Sequence, residues 1–273
     1  MRFADANSDY KNADFVIFGV PYDLSSSYRS GSRFAPTAIR TASYNFESFI
    51  LEKSVSMDEL KIHDMGDIGE WGLAEDMLKD VEFTVKKIVT EGKFPLILGG
   101  EHTLTVGAAR ALKDLNAGII FLDAHLDFRT EYLGNTMSHA CVARRTYEIL
   151  GEGMVGTVGV RSMSKGEKED AEKLGYIYGD FDSVVENIST EKIYISVDVD
   201  VVDPSYAPGV GNPEPLGMHP RELLEYIDKL FNKFDVVGAD VVEISPPYDP
   251  SGITSVLGAK IVQRIIAVKS LCL

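Results

Sequence analysis

Short apolar runs alternate with longer amphipathic segments along this chain, a pattern typical of strands that alternate with helices. The apolar runs predict strands at 15–20, 61–65, 94–98, 119–122, 155–160, 193–197 and 234–242. The amphipathic segments predict helices at 36–44, 73–91, 103–115, 138–150, 165–174, 181–189, 220–232 and 253–270. Alternation of this kind produces a parallel sheet with helices on both faces. We therefore expect a three-layer α/β/α fold, formed as a single domain over residues 1–273.

Polar side chains follow four of these predicted strands at the point where each strand ends. The carboxyl ends of parallel strands lie on one rim of a sheet, which is where ligands bind in such folds. These side chains should therefore lie close together in space. They are His102, Asp123, His125, Asp127, Asp198, Asp200 and Glu243.

The segment 119–128 contains three of these polar side chains. Asp123, His125 and Asp127 are spaced two residues apart, directly after the apolar run that ends at Leu122. If the backbone stays extended, alternate side chains point to one side, about 6.6 Å apart. Groups aimed together in this way repel or lose solvation unless a positive charge lies among them. A divalent metal is the simplest explanation, and the start of a solvated loop is the alternative.

The candidate ligands outnumber those that a single catalytic zinc needs, which is usually about three protein side chains. Four carboxylates carry four negative charges, and two divalent cations would balance them. Carboxylates and imidazoles without thiolates favour manganese, with cobalt, iron or zinc as possible occupants. We predict two Mn²⁺ ions per chain that share a water and lower its pKa toward ~7. Their ligands would be His102, Asp123, His125, Asp127, Asp198 and Asp200.

Charge and composition limit the kinds of ligand and partner that are expected for this site. The net charge of −15 argues against nucleic acid and favours a small cationic substrate. No apolar run reaches the ~18 residues of a membrane span, and the N-terminus lacks the apolar core of a signal peptide. Cys141 and Cys272 match no metal or disulfide spacing. A reducing, cytoplasmic location without a membrane partner is therefore expected.

Four motifs resemble those of the ureohydrolase family, the arginases and agmatinases. They are Gly-Gly-Glu-His-Thr at 99–103, Asp-Ala-His-Leu-Asp at 123–127, Ser-Val-Asp-Val-Asp-Val-Val-Asp-Pro at 196–204 and Val-Glu-Ile-Ser-Pro-Pro-Tyr-Asp at 242–249. The resemblance implies an arginase-like fold with a parallel, mostly eight-stranded sheet. It implies a manganese pair on the same six ligands and hydrolysis of a guanidinium group to urea and a primary amine. It also implies a homo-oligomer, either a trimer or a hexamer.

The resemblance assigns roles to three further groups. Glu243 would hold the substrate guanidinium through fork-like, charge-assisted hydrogen bonds, or else make a loop hydrogen bond at the rim. His139 matches a histidine at the pocket mouth of the family and would pass a proton to the leaving amine. Its alternative role is that of a structural histidine at a helix N-terminus. Asp127 would also orient the bridging hydroxide.

Residues 128–140 decide the expected substrate, because they look like an agmatinase segment and lack the arginase-type recognition segment. Agmatine, which is decarboxylated arginine, leaves an ammonium tail that suits an acidic pocket. Glu131 is a candidate contact for that tail, and Asn212 lies in a loop near the substrate that departs from the usual agmatinase sequence. Cleavage of agmatine to putrescine and urea is expected. Aminopropylagmatine, guanidinobutyrate and arginine remain alternatives.

Other classes of protein fit the sequence less well. A metallophosphoesterase would need a Gly-Asn-His segment, and a deacetylase of related fold would need a tandem His-His. Neither occurs in this chain. A non-catalytic metal-binding member of the family is the remaining alternative, and the complete set of six candidate ligands favours an enzyme.

Overall fold

The computed structural model describes residues 1–273 and contains one large sheet and one small hairpin. The strands are β1 Phe15–Val20, β2 Phe49–Ile50, β3 Val55–Ser56, β4 Ile62–Asp67, β5 Phe94–Gly99, β6 Gly118–Leu122, β7 Val155–Val158, β8 Ile177–Gly179, β9 Lys192–Asp198 and β10 Asp235–Val242. Eight of them form a sheet in the order β4-β1-β5-β10-β9-β6-β7-β8. Every pairing in this sheet is parallel, whereas β2 and β3 pair antiparallel.

Eight α-helices connect the strands. They are α1 Ala35–Ser43, α2 Ala74–Thr90, α3 Thr105–Leu112, α4 Val142–Leu150, α5 Lys165–Leu174, α6 Phe181–Asn187, α7 Pro220–Lys233 and α8 Ile253–Ser270. Local sequence sets several ends: Ser164 and Glu167 form a capping box at the start of α5, and Gly175 ends it with a positive φ. None of these helices has the length and apolar character required to cross a membrane.

Helices cover both faces of the sheet. Ile120 and Leu122 of β6 pack into one hydrophobic cluster, whereas Ile119 and Phe121 pack into a second. The first cluster includes side chains of α1, α6, α7 and α8, and the second includes side chains of α2, α3, α4 and α5. Burial on both faces explains why the central strands have continuous apolar sequences. The expected three-layer α/β/α fold with a parallel, eight-stranded sheet is confirmed.

The structure differs from the predicted elements in a few places. The strand β8 and the β2–β3 hairpin were not expected, because elements of two or three residues carry no periodic pattern. The strand predicted at 155–160 ends at Val158, and Gly159 follows with a φ of +100°. The helices predicted from 103 and from 138 begin instead with 3₁₀ turns at His102–Leu104 and His139–Cys141. These two turns carry two of the predicted site histidines.

Candidate metal centre and active site

Four adjacent strands in the middle of the sheet bring the predicted polar clusters together. In the order β5-β10-β9-β6, their carboxyl ends lead to His102, Glu243, Asp198 and Asp123 respectively. The four polar clusters are far apart in sequence, and the order of the strands in the sheet makes them neighbours. The expectation that the clusters share one rim therefore agrees with the strand order.

His102 lies at the centre of the first group of donors. Its Nδ1 is 3.2 Å from Oδ2 of Asp123, 3.3 Å from Oδ2 of Asp198 and 3.7 Å from Oδ2 of Asp127. The residue is fully buried, yet Nδ1 makes no hydrogen bond. Buried polar atoms are normally satisfied, and a buried nitrogen that faces three carboxylates fits coordination of a cation.

His125 belongs to a second group of donors that shares Asp123 with the first. Nδ1 of His125 is 2.9 Å from Oδ2 of Asp200 and 3.7 Å from Oδ1 of Asp123. The candidate ligand atoms of His102, Asp123 and Asp127 lie within 4.8 Å of one another, and so do those of Asp123, His125 and Asp200. Two donor groups joined by one carboxylate fit a pair of divalent cations, which balance four negative charges.

The pKa shifts of the four aspartates also support a site for cations. Burial, followed by repulsion from neighbouring carboxylates, raises the pKa of Asp123 and Asp198. The same causes raise the pKa of Asp127 to about 7. Burial also opposes ionisation of Asp200, but the nearby His125 outweighs it and lowers the pKa of that carboxyl. Cations bound among these groups would compensate for the cost of keeping them ionised.

A buried hydrogen-bond chain orients His102 from behind. Its Nε2 is 2.9 Å from Oγ of Ser196, which donates to Oδ1 of Asp240 at 2.6 Å. Thr105 Oγ1 donates to the other oxygen of Asp240 at 2.9 Å. Because the only hydroxyl proton of Ser196 goes to Asp240, Ser196 accepts a hydrogen bond from Nε2–H. The lone pair of Nδ1 therefore faces the carboxylates, as a metal ligand requires.

Two functional candidates adopt a backbone conformation that is uncommon outside glycine. Asp127 has a φ of +48° and Glu243 a φ of +64°. The assumption that the backbone stays extended through residue 127 is therefore wrong at Asp127. Its side chain reaches the cluster through a local turn of the chain and not through strand alternation. Positive φ values at such residues cost roughly 1 kcal/mol or more and cluster at functional sites.

Glu243 lies beside the donor cluster and is 7% exposed. Its Oε1 accepts a hydrogen bond from the backbone N–H of His102 at 2.7 Å. Burial, together with the nearby Glu101, raises the pKa of Glu243 to about 8. A Cβ atom on Gly211 would lie 3.3 Å from Oε2 of Glu243, so the glycine keeps space open beside that oxygen.

Four polar side chains surround the ring of His139, and one of them is Ser138, whose Oγ is 3.5 Å from Nδ1. The ring Nε2 is 3.1 Å from Oγ of Ser27 and 3.5 Å from Nδ2 of Asn212, and Nδ1 is 3.3 Å from Oγ of Ser25. Burial lowers the pKa of His139 to about 4. The structure thus places Asn212 against His139 and Ser27, at the edge of the predicted site.

A cavity of about 240 Å³ adjoins the donor cluster, and its wall includes His125, Asp127, Ser27 and Tyr132. A second cavity of about 280 Å³ lies next to it. The two share the wall residues Arg129, Ser164 and Glu167. Glu131 lines the second cavity and not the first, and neither Glu243 nor His139 is among the wall residues of the first.

Comparison with known proteins identifies the family of this site. The model of the arginase family matches residues 13–267. The chain belongs to the arginase family. An agmatinase of Bacillus anthracis is 36% identical over 97% of this chain and 94% of its own length. An N(1)-aminopropylagmatine ureohydrolase of Thermococcus kodakarensis is 37% identical over 90% of this chain and 88% of its own.

A solved structure supports the same assignment at the level of the fold. The agmatine ureohydrolase of Thermoplasma volcanium superposes with a TM-score of 0.93 at 40% identity, covering 98% of this chain and 94% of that one. The resemblance to ureohydrolases and the prediction of an enzyme are confirmed for this arginase-family chain.

Sequence reasoning missed three residues of this arginase-family site, Glu101, Ser25 and Ser27. Glu101 is fully buried and stands between Gly100 and His102. Ser25 and Ser27 lie in the serine-rich loop after β1, whose carboxyl end is on the same rim as the other clusters. The signal available in the sequence was that these residues follow the ends of predicted strands. Only the fold reveals that this loop contacts His139.

Proposed function

We propose that this protein is an agmatinase that hydrolyses the guanidinium group of agmatine to urea and putrescine. Membership of the arginase family, similarity to agmatinases and the composition of the two cavities support this function. We include in the proposal that the ureohydrolase domain extends over residues 1–273. Assembly into a trimer or hexamer and a cytoplasmic location stay predictions.

The residues that would hold two Mn²⁺ ions fall into the two groups described above. His102, Asp127 and Asp198 would serve one ion, His125 and Asp200 the other, and Asp123 lies within reach of both. Oxygen and imidazole donors without thiolate fit manganese. Such a pair of ions, when bound, lowers the pKa of a shared water toward ~7.

Glu243 would bind the guanidinium group. A guanidinium ion is planar and presents paired N–H donors that match the two oxygens of a carboxylate. Oε1 already accepts one hydrogen bond from the backbone of His102 and retains a second lone pair, while Oε2 faces the space beside Gly211. The positive charge of the guanidinium would favour the ionised form of Glu243, and both oxygens are then available for a fork-like pair of bonds.

His139 would supply the proton that the leaving amine needs when water replaces it on the guanidinium carbon. An imidazole carries out this transfer when it lies within hydrogen-bond reach of the amine, directly or through one hydroxyl. Ser27 provides that hydroxyl, because it contacts Nε2 of His139 and also lines the cavity. The low pKa of about 4 keeps His139 neutral at rest, so it can first accept a proton and then donate it.

The observation that carries the choice of agmatine is the charge of the cavity walls. Arg129 is their only arginine or lysine side chain, and its Nη2 is already paired with Oε2 of Glu167 at 3.1 Å. The α-carboxylate of arginine would therefore lack a free cationic partner and would be repelled by the acidic wall. The ammonium tail of agmatine meets no such penalty.

A longer polyamine derivative is the second candidate substrate. The second cavity continues from the first through shared wall residues and is lined by Glu131, Glu169 and Asp170. An aminopropyl extension of agmatine would carry an additional ammonium group into this acidic space. The similarity to an aminopropylagmatine ureohydrolase supports including this compound in the test.

Urea release from a panel of guanidino compounds tests the proposal. The panel contains agmatine, aminopropylagmatine, guanidinobutyrate and arginine, each assayed with manganese-loaded protein. We expect kcat/KM for agmatine to exceed that for arginine at least about 100-fold, a difference of ~2.7 kcal/mol. Equal rates or a preference for arginine would show that the cavity charge does not select the substrate. A protein that releases no urea from any of the four would contradict the proposed function itself.

A further inference from the structure

Glu101 is a buried carboxylate to which neither metal binding nor substrate binding assigns a role. It is fully buried, and it accepts three hydrogen bonds. Its Oε2 accepts from the backbone N–H of Ser25 at 2.7 Å, and its Oε1 accepts from Oγ of Ser25 at 2.5 Å and from Oγ1 of Thr103 at 2.7 Å. Two of these three bonds fix a single loop residue, Ser25.

The loop that carries Ser25 is held against Glu101 by the backbone as well. The N–H of Glu101 donates to the carbonyl of Tyr22 at 2.7 Å, and the N–H of Gly100 donates to the carbonyl of Val20 at 2.9 Å. A Cβ atom on Gly100 would lie 2.0 Å from the carbonyl oxygen of Tyr22, so only glycine permits this approach. The position of Ser25 is therefore determined by the segment that also delivers His102.

Ser25 in turn contacts His139 at two atoms. Its Oγ accepts from the backbone N–H of His139 at 3.0 Å and lies 3.3 Å from Nδ1 of the ring. A serine hydroxyl has one proton and two acceptor lone pairs. Because the short bond to Glu101 uses that proton, Ser25 can only accept from Nδ1, which must then carry the hydrogen.

The opposite ring nitrogen is controlled by the same loop. Nδ2 of Asn212 donates to Oγ of Ser27 at 3.1 Å, which leaves the hydroxyl proton of Ser27 to point at Nε2 of His139. Nε2 is therefore the basic nitrogen, and it faces the hydroxyl that lines the cavity. The tautomer with hydrogen on Nδ1 satisfies Ser25 and Ser27 on the two sides of the ring. Oγ of Ser138, 3.5 Å from Nδ1, can also accept from that hydrogen.

We propose that Ser25, held by Glu101, is a positioning residue that fixes the ring and tautomer of His139 so that Nε2 serves the leaving amine. In a catalytic triad, a carboxylate contacts and orients the histidine directly. Here Glu101 orients His139 through the hydroxyl of Ser25. Ser25 makes no hydrogen bond to a proposed metal ligand, and its effect passes through His139. This inference rests on the proton-transfer role proposed for His139.

Ser25→Ala is the main variant, and Ser26→Ala is its matched control. Oγ of Ser26 is buried and makes no hydrogen bond, so the control removes the same atom from the next residue of the same loop. We expect Ser25→Ala to lower kcat for agmatine at least about tenfold with KM within about threefold. Ser26→Ala should match the wild type, and Ser25→Thr, which keeps the hydroxyl, should recover most of the activity.

A double-mutant cycle separates positioning from general damage to the loop. If Ser25 acts through His139, Ser25→Ala should cost less than about twofold once His139→Asn is present. An equal loss in both backgrounds, or wild-type kcat in Ser25→Ala, would overturn the inference. Both variants are assayed with metal content measured, and a metal content below that of the wild type in Ser25→Ala would also overturn it. A wild type that releases no urea from agmatine would instead refute the proposed function.

Discussion

Ser196→Ala should weaken metal binding although Ser196 is not itself a ligand. The substitution removes the hydroxyl that accepts from Nε2 of His102 at 2.9 Å and donates to Asp240 at 2.6 Å. All three residues are fully buried, so no water replaces the lost oxygen. The imidazole loses the acceptor that fixes its orientation, and one oxygen of Asp240 loses a donor.

The magnitude follows from these two effects. Leaving a buried polar group unsatisfied costs about 1–3 kcal/mol, so metal-free Ser196→Ala should be less stable than the wild type by about that amount. Loss of a group that orients a metal-binding histidine lowers metal affinity about 10–100-fold, which is ~1.4–2.7 kcal/mol. The affinity change should concern the ion nearest His102.

Thr105→Val is a matched control for this experiment. Thr105 donates to the other oxygen of Asp240 at 2.9 Å and lies 3.3 Å from Oγ of Ser196, but it makes no hydrogen bond to the ring of His102. Thermal unfolding of the metal-free variants should show comparable destabilisation. Calorimetric titration with Mn²⁺ after removal of metal by a chelator should show weakened binding only for Ser196→Ala. Unchanged affinity in Ser196→Ala, or an equal loss in both variants, would refute this account of the hydrogen-bond chain.

Three further predictions test the site and the fold. His139→Asn should lower kcat by roughly 10²–10⁴-fold while two metals stay bound, and undiminished turnover would leave His139 a structural role. Asp198→Ala should lose at least one of the two metals by elemental analysis, whereas full occupancy would remove it from the ligand set. Arg40→Met should destabilise the protein by about 3–5 kcal/mol in thermal unfolding, because Asp64 is 1% exposed and loses its bidentate partner. Adding Asp64→Asn should recover part of that loss.

The sequence predicted the central elements well because burial on both faces leaves a strong signal. Ile193 to Val197 and Phe94 to Leu98 are apolar at almost every position, and each lies within one residue of the observed strand ends. The rim position of His102, Asp123 and Asp198 then follows from parallel topology alone. Predictions that depend only on strand ends and a parallel sheet were therefore the reliable ones.

Predictions about loops were weaker, since loop conformation depends on contacts distant in sequence. The contact between Ser25 and Glu101 spans 76 residues and leaves no periodic pattern. Glu131 lines the second cavity and not the cavity beside the donor cluster, and its contact with the substrate tail stays a prediction. The turn at Asp127 could not be predicted either, because the regular alternation of residues 123–127 suggests an extended backbone. In each case the deciding interaction is tertiary and not local.

The positive φ values at Asp127 and Glu243 place backbone strain at two residues to which we assign chemical roles. Glycine would relieve the backbone at both positions, and burial raises the pKa of both carboxyls, which disfavours their charged forms. A design procedure that optimised only the folded state would therefore replace them. The roles that we propose for Asp127 and Glu243 would explain the acidic side chains at these strained positions. Engineering of this protein for higher stability should therefore leave these two residues unchanged and place its substitutions at exposed helix positions.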